Sequence, residues 1–274
     1  MYNLCAFAQA RSLISGAGVY MQPGLIQFLI VCPLVGLAGF IDAVAGGGGL
    51  IALPAYMFAG LSVHEAIGTS KLSATMGSTL ATIRYASAGY IPLKITLFCV
   101  AAALAGSSIG ANISLRTSDF YLKIIILILL PFLAWRLTKK NAIEKIYEPY
   151  DDTKTLVLSL IISFVIGMYD GFYGPGTGTF MIILFVSLAH LSLDKAQGIS
   201  KAVNLASTAA ALVIYLNDDK TIYSLGIAAG ICNLIGAYIG TRFYGSKGAR
   251  AVKPVMLVVL AAFFIRIVSE LIRG

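Results

Sequence analysis

Apolar residues fall along the chain in long runs broken by short polar or glycine-rich stretches. Five runs precede the middle, at 24–44, 50–60, 63–88, 92–113 and 118–138. Five follow it, at 155–170, 178–190, 196–216, 221–243 and 251–271. Most are long enough for a helix that crosses a bilayer, which takes about 20 residues. The second run of each half is shorter and is expected to be a broken or re-entrant helix. The clearly polar stretch, KKNAIEKIYEPYDDTK at 139–154, lies near the centre. The pattern predicts an all-α polytopic membrane protein with about 8 full transmembrane helices plus two short ones. Its parts are a first transmembrane repeat at 1–138, a cytoplasmic linker at 139–154 and a second repeat at 155–274.

The halves match each other. Shifted by 128, Gly39, Asp42, Gly46 and Gly48 fall on Gly167, Asp170, Gly174 and Gly176. After a two-residue insertion, LSVHEAIGTSK (61–71) falls on LSLDKAQGISK (191–201), and Tyr85, Gly106 and Gly110 fall on Tyr215, Gly236 and Gly240. Asp, glycine turn, Ser-Lys and GxxxG recurring in one order indicate duplication. The GxxxG pairs are expected to pack helices closely, because small residues let backbones approach in lipid.

Composition makes the bilayer the expected solvent. Of 274 residues, 58% are hydrophobic and 12% charged, against about 25% charged in soluble domains; mean hydropathy is +0.88. The net charge of +8 does not point to nucleic acid, because the charges sit between apolar runs. Basic residues mark cytoplasmic loops. Placing the linker inside, with five passes per half, puts 12 basic residues inside and 6 outside, setting aside Lys71 and Lys201. That favours inverted halves with both termini outside; four passes would leave the halves parallel, with a weaker contrast. The first 22 residues hold one basic residue, Arg11, and no clear cleavage site, so a cleaved leader is not expected. The four cysteines stand apart, without CxxC spacing, and read as small packing residues.

Three features carry candidate chemistry. GFIDAVAGGGGL (39–50) and GMYDGFYGPGTG (167–178) end apolar runs in an aspartate and a glycine-rich break. Unwound chain survives in lipid only where it is buried or lines a wet cavity, and a helix restarting after the break points N–H groups at its N-terminus, which suits an anion. Gly46, Gly47, Gly48, Gly49, Gly174, Gly176, Thr177 and Gly178 are therefore candidate binding positions; a tight turn between packed helices is the plainer reading. Lys71 and Lys201 each follow a serine inside apolar sequence. A charge there costs at least about 2.5–3.5 kcal/mol on insertion scales. Each could hold an oxyanion, with Thr69, Ser70, Ser200, Asn204 and Thr177 as neutral donors; each could instead snorkel to the headgroups or be locked to an aspartate for packing. Asp42 and Asp170 read as ion-pair or capping residues, or as proton-coupling groups. No GK[ST] follows the glycines, and neither HExxH nor GxSxG occurs, so no enzyme, metal site or cofactor is expected. His64 and Glu65 read as the polar first turn of a helix.

GFIDAVAGGGGLIALPA, GTSKL, GFYGPGTGTF and GISKAVNLAS resemble the TauE/SafE, or sulfite exporter, family of bacterial membrane permeases, from about Gly24 to Arg273. The resemblance implies a secondary transporter or exporter of the bacterial inner membrane. Its substrate would be a small anion, a sulfur oxyanion or organosulfonate such as sulfite or sulfoacetate. The motif positions carry onto Asp42, Gly46 to Gly49, Pro54, Ser70 and Lys71, and onto Asp170, Gly174, Pro175, Gly176, Gly178, Ser200, Lys201 and Asn204. Cys32, Cys99 and Cys232 have no repeat counterparts, so no thiol relay is carried over. Expected partners are a small anionic substrate and the lipid bilayer; a homo-oligomer is left open. The alternatives are a small carboxylate as substrate, or a scaffold or assembly factor without flux, in which packing would seal the glycine breaks.

Overall fold

The computed structural model describes residues 23–118 and 150–247, together with Phe120, Tyr121, Ile124 and Glu148. The runs at 251–271 and, for the most part, 118–138 lie outside the described residues, as does the linker before Glu148. Eight helices with defined bounds follow one another: α1 Leu25–Ala45, α2 Gly49–Phe58, α3 Val63–Ser87, α4 Leu93–Arg116, α5 Asp152–Phe172, α6 Thr177–Ser187, α7 Leu193–Asn217 and α8 Tyr223–Lys247. No strand occurs among the described residues.

Five of these helices, α1, α4, α5, α7 and α8, are long and apolar enough to cross a membrane. α3 has the length, at 25 residues, but is less apolar, because it buries Thr69, Lys71, Ser73 and Ser78 inside the protein. α2 and α6, of 10 and 11 residues, are too short for a full crossing.

Local chemistry sets the ends. At α3, the Ser62 hydroxyl accepts from the Glu65 amide at 3.4 Å while the Ser62 amide donates to Glu65 Oε2 at 3.0 Å, a reciprocal cap. Asp151 accepts from the Lys154 amide at 3.2 Å and starts α5 at Asp152, ahead of the run expected from 155. α1 stops at Gly46, whose φ of +73° favours glycine and whose amide bonds Asp42 O at 2.8 Å. Gly174 and Gly176 make the matching break with φ of +98° and +81°.

Contacts fix the chain directions. α1 packs most extensively against α8, and α5 against α4. Gly36 faces Cys232, Gly39 faces Asn233 and Gly240 faces Phe40, so α1 and α8 run parallel. Gly106 faces Phe164 and Gly110 faces Met168, so α4 and α5 run parallel too. The small residues bring these backbones together, since a side chain on any of them would meet a main-chain carbonyl. α3 and α7 are antiparallel: Thr82 donates to Lys201 O at 3.1 Å and Asn204 to Ser78 Oγ at 3.4 Å.

Each short helix folds back along the helix before it. Gln27 at the start of α1 donates to Ala59 O just past the end of α2, at 3.0 Å. Thr155 near the start of α5 reaches Ala189 O just past α6, at 3.5 Å. Three buried phenols are satisfied: Tyr56 donates to Ser73 at 2.9 Å, Tyr215 to Ser114 at 2.7 Å and Tyr85 to Ala43 O at 2.9 Å. Unpaired, each would cost more than the bond itself contributes.

Candidate functional site

The two glycine breaks meet in the interior. Gly46 lies against Gly178 so closely that a Cβ on Gly178 would stand 2.6 Å from Gly46 Cα. Thr179 ties the breaks together, its amide donating to Gly46 O at 3.1 Å and its hydroxyl to Ala45 O at 2.7 Å. The first turns of α2 and α6 therefore begin side by side. Their Gly49 and Gly178 amides have no backbone carbonyl partner among the described residues, as first-turn amides intrinsically lack one.

A cavity of about 50 Å³ opens where the breaks converge, room for a few water-sized occupants. Of the positions singled out in the sequence, Gly46, Gly48, Gly49, Ser70, Lys71, Asp42, Asp170, Gly174, Gly176, Thr177, Gly178 and Asn204 line it. Gly47, Ser200 and Lys201 do not. Ser200 is buried and donates to Gly178 O at 3.3 Å. Thr69 is also absent from the lining; its hydroxyl accepts from the Ile222 amide at 3.0 Å and so helps to start α8.

Each lysine is held by the aspartate of the other half. Lys71 Nζ donates to Asp170 O at 2.6 Å and lies 3.0 Å from Asp170 Oδ1. Lys201 Nζ donates to Asp42 O and lies 2.9 Å from Asp42 Oδ2. The pairs share one plan and differ in surroundings. Asp170 also accepts from Thr177 at 2.9 Å, Ser207 at 2.8 Å and Thr208 at 3.3 Å, and its side chain is 3% exposed. Asp42 has, among the described residues, only the Gly48 amide, at 3.4 Å, besides Lys201, and is 20% exposed. An ammonium has three donors. Lys71 commits two to Asp170 and still borders the cavity, whereas Lys201 is fully buried behind Asp42.

Four polar lining residues escaped the sequence reading: Ser78, Thr208, Tyr173 and Asn233. Ser78 and Thr208 stand at the same 130-residue shift as Lys71 and Lys201, so the repeat would have found them. Asn233 and Tyr173 have alanines, Ala103 and Ala45, at the matching positions, and symmetry is blind to them. Asn233 occupies the room left by Gly39 and Gly77. Tyr173 is 4% exposed and its hydroxyl has no hydrogen-bond partner among the described residues.

Neither histidine joins the site. His64 Nε2 lies 3.0 Å from Ser114 O, and His190 Nδ1 lies 2.6 Å from Glu148 O. No group of three His, Cys, Asp or Glu placed to hold a metal occurs among the described residues. Cys32 and Cys232 are free thiols that touch across the α1–α8 contact.

Comparison with known proteins adds to this geometry. The family described as Sulfite exporter TauE/SafE matches residues 31–267. The probable membrane transporter protein ORF9 of a Sinorhizobium species is 34% identical over 246 residues, covering 90% of this chain and 93% of that protein. The probable membrane transporter protein YfcA of Escherichia coli K12 is 33% identical over 240 residues, covering 85% and 87%. A Bacillus subtilis relative, the probable membrane transporter protein YdhB, is 24% identical over 229 residues. No solved structure matches.

Proposed function

The chain belongs to the sulfite exporter TauE/SafE family, a family of multi-pass membrane transporters, and from that premise we propose a secondary carrier of a small anion. The substrate class is a sulfur oxyanion or organosulfonate such as sulfite or sulfoacetate, and the membrane is the bacterial inner membrane. The observation that carries the proposal is the cavity at the meeting of both glycine breaks, bordered by Lys71 and by the first turns of α2 and α6. The third Lys71 donor, the Gly49 and Gly178 amides and the Asn204, Ser78 and Asn233 side chains surround a guest with donors. A charged donor and helix N-termini favour an oxyanion. A scaffold with sealed breaks has no use for this space.

Chain direction supports inverted halves. α2 and α6 return to the side where α1 and α5 begin, so α3 starts on the same side as α1. α4 runs back, and α5 runs parallel to α4 and hence opposite to α1. Transporters with inverted repeats and broken helices at the midplane expose the site alternately by rocking one part against the other. In this chain the rocking surfaces would be joined by the two Lys–Asp pairs, each of which crosses between halves. At the end of the molecule reached by the C-terminus of α3 lie Arg84, Lys94, Lys154, Lys195, Arg242 and Lys247; at the other lie Arg116 and Lys220. The basic end is read as cytoplasmic.

The deciding experiment is labelled sulfite flux in proteoliposomes under an imposed pH gradient, comparing wild type with Lys71→Ala. Flux in wild type that is lost in folded Lys71→Ala supports the anion site. Flux unaffected by the substitution removes Lys71 from it.

A further inference from the structure

Outside the cavity, the structure gathers two arginines on one ring. Arg84 of α3 and Arg242 of α8 each hold the guanidinium carbon 4.8 Å from the centroid of Tyr238. Neither forms an ion pair among the described residues. At that end, Asp194 is reached by Tyr244 at 3.4 Å. Arg84 Nε is buried and has no hydrogen-bond partner among the described residues. A tyrosine face attracts each cation, yet it does not neutralise two of them, nor does it take up the Nε proton.

The surroundings are apolar and face outward. Ile231, Ile235 and Ile239 of α8 are each more than half exposed, Tyr238 is 38% exposed, and Ile83 beside Arg84 is 57% exposed. In a bilayer this lane meets acyl chains, and the arginines stand at its end. The fold does not require the pair: at the matching positions of the other half stand Ile214, Ser108 and Asn112. There Ser108 and Asn112 satisfy themselves along α4, on Leu104 O and Ser108 O at 2.8 Å each. The cluster is built once, at the end of the molecule where basic residues collect.

We propose that Arg84, Tyr238 and Arg242 form a binding site for the phosphate of an anionic phospholipid, with its acyl chains lying along α8. Guanidinium groups bind phosphate with charge-assisted, planar hydrogen bonds, and basic pockets between membrane helices on the cytoplasmic side bind anionic headgroups. The apolar lane selects a lipid over free phosphate.

The test uses the full-length protein purified in a neutral detergent. Thermal unfolding and native mass spectrometry are followed while phosphatidylglycerol, phosphatidylcholine or inorganic phosphate is added. The expected result is retention of phosphatidylglycerol with a rise in unfolding temperature, little effect of phosphatidylcholine, and none of phosphate at the same concentration. Arg242→Gln, on an exposed side chain, should fold normally and weaken phosphatidylglycerol binding about tenfold, the loss of one charged phosphate contact. Arg84→Gln should do the same. Equal phosphatidylglycerol retention by wild type and Arg242→Gln overturns the proposal. Equal stabilisation by phosphate alone overturns the lipid and leaves an anion site.

Discussion

Lys201 lies wholly inside the protein with its ammonium 2.9 Å from the carboxylate of Asp42, a residue of the other half. The two members are not equivalent. Asp42 reaches the cavity, while Lys201 has no other charged partner among the described residues. Removing one partner of a buried pair costs about 3–5 kcal/mol, because the other charge is left uncompensated. Asp42→Ala is therefore expected to lose most folded protein, read as a lowered unfolding temperature and poor yield. Asp42→Leu combined with Lys201→Met should recover much of that yield without recovering flux. Flux in the double variant would make the pair a structural tie alone.

The partner pair predicts a different balance. Asp170 keeps three hydroxyl donors when Lys71 is removed. Lys71→Ala should thus remain folded, losing less stability than Asp42→Ala, and should lose transport. Unfolding temperature and flux measured on the same preparation check both parts. A stability loss equal to that of Asp42→Ala would reverse the assignment.

Gly178 has no room for a methyl group. A Cβ there would stand 2.6 Å from Gly46 Cα and 2.8 Å from Gly46 O, both backbone. Gly178→Ala should cost about 1–3 kcal/mol, the usual cost of overpacking, and should push the first turns of α2 and α6 apart. Gly24→Ala, whose Cβ would meet only Gln27 Oε1 at 3.7 Å, serves as the control. Thermal unfolding distinguishes them.

Deleting the Tyr173 hydroxyl removes no hydrogen bond among the described residues. Tyr173→Phe should leave stability unchanged or slightly raised, since a buried unpaired hydroxyl costs about 1–3 kcal/mol. A substrate-facing hydroxyl would show instead as a raised KM with folded protein intact. A normal KM with normal stability would exclude Tyr173 from the site.

Inversion is open to a direct check. The α3–α4 and α7–α8 turns should lie on opposite sides of the membrane. Ala88→Cys should resist an impermeant maleimide in intact cells, and Asp218→Cys should react. Labelling of both from one side would reject the inverted arrangement.

Much of this architecture was legible in the sequence because duplication writes each signal twice. The 130-residue shift carries α3, Val63–Ser87, onto α7, Leu193–Asn217, residue for residue. The short runs at 50–60 and 178–190 became α2 and α6 within a few residues. Pairing was not legible. Nothing local tells Lys71 to choose Asp170 over Asp42, because that choice depends on how helices far apart in the chain pack. Asn233 and Tyr173 were missed for the opposite reason: they break the symmetry that guided the reading.

The pairing of α1 with α8 has a consequence for biosynthesis. The glycine-bearing face of α1 leaves the ribosome long before its main partner, which begins only at Tyr223. Until then that face must rest on lipid or on a transient companion. The first of the described helices to be made is among the last of them to find its place, and a nascent chain stalled before Tyr223 would be an open clasp rather than half of a carrier.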